Sequence, residues 1–193
     1  MCDCNRNANP LPRAPLGHLL ADQLLGTLYI DIVGGQGSLS LGPSPKFILT
    51  MINGLTRWAK VVPIADQSAA TCARAVYAES ISRYGVQEQL HSERGTQFES
   101  ALFAELCAPF GVDKMLTTTY RLQANGKCER FNRTLVALLR RVVQSRPYDW
   151  EPLLAPGLQS YRSTVSKATG FTPYRFAFGR MMRLFVYLGM PLP

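Results

Sequence analysis

The stretch Thr27-Leu-Tyr-Ile-Asp-Ile-Val33, closed by Gly34-Gly35, sets the frame from which the rest of the chain is read. It is a short apolar run ended by turn residues, as a strand should be. Next, Lys46-Phe-Ile-Leu-Thr-Met-Ile-Asn53 follows a loop rich in Gly, Ser and Pro, and Arg57-Trp-Ala-Lys-Val-Val-Pro63 forms a third run. Three strands with short or turn-rich connectors predict an antiparallel meander. From Ser68 to Tyr84 the apolar positions Ala69, Cys72, Ala73, Val76, Tyr77 and Ile81 recur at helical spacing and stop at Gly85. A fourth strand over Gln87 to Ser92, a helix over Phe98 to Phe110 ended by Gly111, and a fifth strand over Val112 to Thr119 follow. Gln123 to Ser145 reads as a long helix with the apolar stripe Cys128, Phe131, Leu135, Leu138, Leu139 and Val142. This order predicts an α/β domain: a mixed five-stranded sheet flanked by helices, with a helical C-terminal extension from Tyr148 to about Phe178.

A length of 193 residues suits one domain. With 47% hydrophobic and 18% charged residues, the chain is no disordered tail, collagen-like rod or highly charged coiled coil. Its net charge of +8 is unevenly placed. Residues 1 to 120 carry 9 basic and 10 acidic side chains, whereas residues 121 to 193 carry 12 and 3. Ten of those 12 are Arg, whose forked guanidinium matches phosphate geometry, so a nucleic acid is favoured over a membrane surface as partner. Five cysteines, an odd count with no secretory signal ahead of them, favour a reducing intracellular compartment. No window approaches the roughly 18 apolar residues needed to cross a bilayer, so no membrane partner is expected.

Asp31 sits amid Leu28, Tyr29, Ile30, Ile32 and Val33, where an ionised carboxylate is costly unless it is paired, holds a metal or points to solvent. Glu93, just past the fourth strand, and Glu129, early in the long helix, are two further acids at element ends. With 13 acids in the chain, spacing alone does not single them out.

The words around them do. Tyr29-Ile-Asp-Ile-Val-Gly34, Leu55-Thr-Arg-Trp58, His91-Ser-Glu-Arg-Gly-Thr-Gln-Phe-Glu-Ser100, Gln123-Ala-Asn-Gly-Lys-Cys-Glu-Arg-Phe-Asn-Arg133 and Thr169-Gly-Phe-Thr-Pro-Tyr174 with Phe178-Gly-Arg180 appear in this order. The chain thereby resembles the integrase catalytic core of gypsy-type LTR retrotransposons and retroviruses over about residues 10 to 184. The resemblance implies a ribonuclease H-like fold and a polynucleotidyl transferase whose three acids hold two magnesium or manganese ions. Such ions, about 3.5 to 4 Å apart, activate the attacking oxygen and stabilise the leaving one. It also implies Asp31 bridging both ions, with Glu93 holding one and Glu129 the other. The words from Gln123 and from Thr169 favour this reading over a ribonuclease H proper, which shares fold and metals.

Glu93 departs from the family, which has Asp at that position. Magnesium demands near-octahedral geometry at about 2.0 to 2.1 Å, and catalytic groups tolerate about 0.5 Å of displacement. One extra methylene therefore predicts impaired DNA integration. Asn53 in place of Asp, and Leu122 and Phe185 in place of Pro, are smaller departures. The alternative to an impaired enzyme is a catalytically silent nucleic-acid-binding or interaction module; a transposon fossil is the third reading. Zinc is not expected, because the arm offers only His18 and a Cys2-x-Cys4 pair, a poor tetrahedral set.

On the long helix, Lys127, Arg130, Arg133, Arg140 and Arg141 lie mostly off the apolar stripe and form a basic face beside Glu129. The resemblance implies DNA contact there, with Gln123, Asn125 and Gly126 opening the helix where free backbone N–H groups meet phosphate. It also implies self-association and a nuclear location. His91 is read as polar surface, Gly95 as permitting a tight turn, Trp58 and Trp150 as packing, and Cys128 as an inert core thiol. The domain reading is a loose arm over 1–26 left from a zinc-domain linker, a catalytic core over 27–146 and a helical extension over 147–193.

Overall fold

The computed structural model describes residues 26–34, 47–93, 95–116, 122–143 and 150–184, apart from the side chains of 102, 106, 110, 115, 116, 122–125 and 140–143. Expectations for the arm, including Cys2, Cys4 and His18, and for Phe185 lie outside these residues. So do the far end of the fifth strand and residues 144–148.

Five strands form one sheet in the order β3-β2-β1-β4-β5. β1 (Thr27–Gly34), β2 (Phe47–Asn53) and β3 (Ala59–Ile64) make the expected antiparallel meander. β4 (Gln89–Ser92) runs parallel to β1, and β5 (Asp113–Leu116) parallel to β4. Parallel neighbours need crossovers, and helices supply them. α1 (Ala69–Val76) is capped by Ser68, whose hydroxyl accepts from Thr71 N. A π-helical turn, Tyr77–Ile81, carries it into α2 (Ser82–Tyr84), so the predicted single helix has a widened turn. Gly85 ends it at φ 85, open to glycine at little cost. The second predicted helix divides at Ser100, which caps α4 (Ala101–Cys107) by accepting from Phe103 N and leaves α3 (Thr96–Glu99) as a separate turn. α5 (Leu122–Val143), α6 (Glu151–Ser163) and α7 (Pro173–Phe178) complete the chain.

Strand alternation sorts the core onto two faces of the sheet. Leu28 and Ile30 of β1 pack with Leu49, Leu90, Cys72, Val76, Phe98 and Phe103 under α1, α3 and α4. Tyr29, Ile48 and Ile52 pack against Cys128, Phe131, Leu135 and Leu139 of α5 and Leu154 and Leu158 of α6. β1 is thus covered on both sides, which explains its nearly unbroken apolar run. Asp31 interrupts that run on the α5 side.

Candidate functional site

Asp31 lies opposite Thr50 in the β1–β2 register. Between β1 and β4 the last pair is Ile30 with Ser92, and continuing that register by one residue sets Asp31, mid-way along β1, beside Glu93, just past the end of β4. α5 crosses the same end of the sheet. Cys128 Sγ is 3.5 Å from Thr50 Oγ1, and Asn132 donates from Nδ2 to Asp31 Oδ2 at 2.7 Å. Glu129 is therefore carried to Asp31 by the helix turn that seats Cys128.

Asp31 is half-buried and well held. Ile32 N donates to its Oδ1 at 2.8 Å, and Thr50 Oγ1 donates to its backbone oxygen at 3.1 Å. Burial pushes its carboxyl up to about 7 and the negative charge of Glu93 pushes the same way; Glu129 adds a smaller push. The hydrogen bonds from Ile32 and Asn132 oppose this and do not win. A mid-strand carboxyl raised by burial and by neighbouring acids makes Asp31 a candidate site residue. Glu93 and Glu129 are both exposed, so one edge of the trio is open.

The donor set is three carboxylates, hard oxygens that suit magnesium or manganese. Among the described residues no three His, Cys, Asp or Glu side chains gather closely enough to hold one ion.

Asn132 and Thr50 do not stand out in the sequence, yet they orient Asp31. The available signal was helical spacing: Asn132 follows Cys128 by four residues and Glu129 by three, which puts all three on one side of α5. Cys128 is fully buried, and burial with the Asp31 charge holds its thiol far above the ordinary range, so it stays protonated as expected.

Several expectations need correction. His91 is not polar surface: it is 3% exposed and stacks on Tyr29 at 5.2 Å, and burial lowers its pKa. β4 is flanked by strands on both sides, which buries the ring. Lys127 does not simply face outward with the other cations. Its Nζ donates to Gly54 O at 3.3 Å and lies 4.9 Å from the Tyr29 ring centroid. Gly95 needs no special backbone freedom, since its φ is −96. Arg130 and Arg133 are exposed, as a basic face requires, and Gly126 is half-buried beside Arg130. The side chains of Gln123, Asn125, Arg140 and Arg141 lie outside the described residues. Trp150 is buried, and Trp58 packs against Phe178 and under the Arg162 guanidinium at 4.0 Å.

Asn53 explains its own departure. Its Oδ1 accepts from Leu55 N, Thr56 N and Thr56 Oγ1, locking the β2–β3 hairpin. An Asp carboxylate would supply the same acceptor, so this exchange leaves the turn intact.

No protein-family model matches the chain. Among known proteins, the retrovirus-related Pol polyprotein from transposon 412 of Drosophila melanogaster is 28% identical over 151 residues, covering 75% of this chain and 12% of the polyprotein. The Gag-Pol polyprotein of woolly monkey sarcoma virus is 28% identical over 135 residues, covering 69% and 8%. The chain thus spans about a tenth of the length of the curated relatives it matches. Among solved structures, the HTLV-2 integrase catalytic core domain in complex with magnesium, a trimeric form, aligns with a TM-score of 0.63 at 15% identity, covering 79% of this chain and 95% of that one. The simian T-cell lymphotropic virus intasome in complex with a PP2A regulatory subunit gives 0.69 at 13% identity, covering 82% and 56%. The catalytic core domain of BIV integrase gives 0.62 at 23% identity, covering 79% and 93%. By sequence, then, this chain is similar to retroviral and transposon Pol polyproteins, and its fold, a mixed five-stranded sheet flanked by helices, is the one seen in integrase catalytic cores.

Proposed function

We propose that this integrase-type domain cuts and joins DNA by metal-dependent phosphodiester strand transfer, with Asp31, Glu93 and Glu129 as its acids and with a rate limited by Glu93. The observation that carries the proposal is the state of Asp31, a half-buried carboxyl raised to about 7 with Glu93 and Glu129 among the causes. A magnesium-bearing neighbour of the same fold supports a divalent cation as the missing charge.

When bound, two such cations would polarise the attacking oxygen and stabilise the leaving one. Asp31 would be the ligand common to both, with Glu93 and Glu129 at one each. Asn132 and the Ile32 N–H hold one Asp31 oxygen each, fixing the carboxylate plane before a substrate arrives. Exposed Arg130 and Arg133 would meet the backbone phosphates of the DNA partner, with Gln123, Asn125, Gly126, Lys127 and Arg140 along the same helix. The trimeric and intasome forms of the neighbours support self-association. The core would extend over 27–146, preceded by an arm and followed by the helical extension over 147–193. A nucleus is the compartment such a reaction requires in a eukaryotic cell.

Glu93 is the observation that favours a second reading, a silent nucleic-acid-binding module. A single-turnover assay on labelled duplex ends in manganese separates the two. The proposal expects weak cleavage or joining in the parent, none in Asp31→Asn, and at least about tenfold more in Glu93→Asp, the size of about 1.4 kcal/mol in the barrier. Silence in both parent and Glu93→Asp, with DNA binding intact, would favour the silent module.

A further inference from the structure

Beside α5, the hairpin turn, α5 and the segment after α6 line a half-open cavity of about 230 Å³. Four cations line it: Arg57, Lys127, Arg130 and Lys167. No Asp or Glu does so among the described residues. A solvated basic face would spread its charges apart, whereas here Arg57 and Arg130 are close enough that the charge of Arg130 helps lower the Arg57 pKa, after burial.

Arg57 is the unusual member. It holds φ 62, the left-handed region that a residue with a side chain enters at a cost. Two contacts keep it there: Arg57 N donates to Asn53 O at 3.1 Å, and Tyr161 Oη donates to Arg57 O at 3.2 Å. Its guanidinium is half-buried, and its Nε is buried without an acceptor among the described residues. A buried charged donor left unmatched is expensive, and like charges gathered around it add to that expense. A bound anion in the cavity offsets the gathered positive charge.

We infer that this cavity is a binding site for a phosphate group, with Arg57 as its half-buried anchor and the exposed Lys167 at its rim. Arginine donors in a fork match a tetrahedral oxyanion, and the apolar floor of Ile52 and Phe131 strengthens the charge interaction. The cavity shares Arg130 and Thr134 with a broader depression of about 520 Å³ that also holds Arg133, so a polyanion seated at Arg57 has a basic path along α5. The phosphate can be one link of a polynucleotide or a free phosphate compound. The site does not depend on the acids at Asp31, and the reading of the domain as DNA-binding bears only on the source of the phosphate.

The test is calorimetric titration of the whole chain with pyrophosphate in chelator-treated buffer at fixed ionic strength. Arg57→Gln and Lys167→Gln are the probes, and Arg74→Gln, an exposed cation on α1, is the control. Each probe should weaken pyrophosphate binding about tenfold, the loss of a charge-assisted hydrogen bond, and the control should leave it unchanged. Lys167 is exposed, so its variant folds even if Arg57→Gln loosens the hairpin. Absence of pyrophosphate binding, or equal binding by parent and both probes, would overturn the inference. A second arm measures duplex DNA by fluorescence anisotropy against salt. Parallel losses, with the salt slope reduced by about one per variant, assign the phosphate to a polynucleotide; unchanged DNA binding assigns the cavity to a free phosphate compound. Neither arm reads strand transfer, so failure here is distinct from failure of the catalytic proposal.

Discussion

Replacing Asp31 by Asn should stabilise the metal-free fold, and the gain should grow with pH. The carboxyl titrates at about 7 in the folded chain against an ordinary 3.8, chiefly through burial and then through the Glu93 charge. Because the folded state holds this proton more tightly than the unfolded state, the stabilisation it gives is fully present in acid. It is lost as pH rises through about 7. At about 1.4 kcal/mol per pH unit, the interval from 3.8 to about 7 is worth roughly 4 kcal/mol between acid and mildly alkaline solution. An amide at this position cannot ionise and so escapes that loss. It also fits: it can still accept from Ile32 N, and it can donate to Asn132 Oδ1, a buried atom without a partner among the described residues, once the Asn132 amide turns over. For a chain of this length about 4 kcal/mol is a rise of roughly 10 °C in Tm. Thermal melts of parent and Asp31→Asn in chelated buffer, from about pH 5 to about pH 8, read the difference directly. A variant that melts at or below the parent throughout, or a gap that does not widen with pH, would refute the assignment of Asp31 as a destabilised carboxylate.

Glu79→Gln should cost about 1 kcal/mol at neutral pH, measured by urea unfolding, because it weakens the 2.7 Å contact to half-buried Lys60 and the pair with Arg83. The Lys60 hydrogen bond holds the Glu79 carboxyl below its ordinary range, so the difference should vanish as acid protonates it. Leu135→Ala, a 2% exposed position between α5 and the sheet, should cost about 3 kcal/mol in the same measurement. Burial lowers the His91 pKa, so the parent should lose stability as pH falls through about 6.5, where the unfolded chain gains a proton first. His91→Phe keeps a ring to stack on Tyr29, and its melts should lack that acid-side loss.

What the sequence conveyed, and what it did not, follows from the range of each interaction. Strand β1 was legible because burial on both faces demands a continuous apolar run, and Gly85 and Gly111 mark helix ends because both adopt positive φ. The break at Ser100 was carried by one capping hydroxyl, a local signal that the helical period of Phe98 and Phe103 overrode. At the site, the three acids were legible as motif residues, whereas their partners were not. Asn132 reaches Asp31 across 101 positions, and periodicity tells which face a residue occupies but not which distant polar atom meets it. The burial of His91 was hidden for a related reason. A short polar-ended strand looks like an edge until β5 is known to pair beyond it. Arg57 stands in the sequence only as part of the Leu55-Thr-Arg-Trp58 word, and its left-handed backbone and the cavity beside it arise from a hairpin whose geometry one sequence does not display.

The central proposal is that Asp31, beside Glu93 where the β1–β4 pairing ends, would hold a divalent cation. Crystals soaked in manganese and measured at an energy that excites it would test this most directly. The account predicts anomalous density beside Asp31, within about 2.0 to 2.4 Å of its carboxylate oxygens, with Glu93 or Glu129 as second ligand, and its loss in Asp31→Asn. Density that persists without the Asp31 carboxylate, or saturating manganese that leaves this position empty, would contradict it.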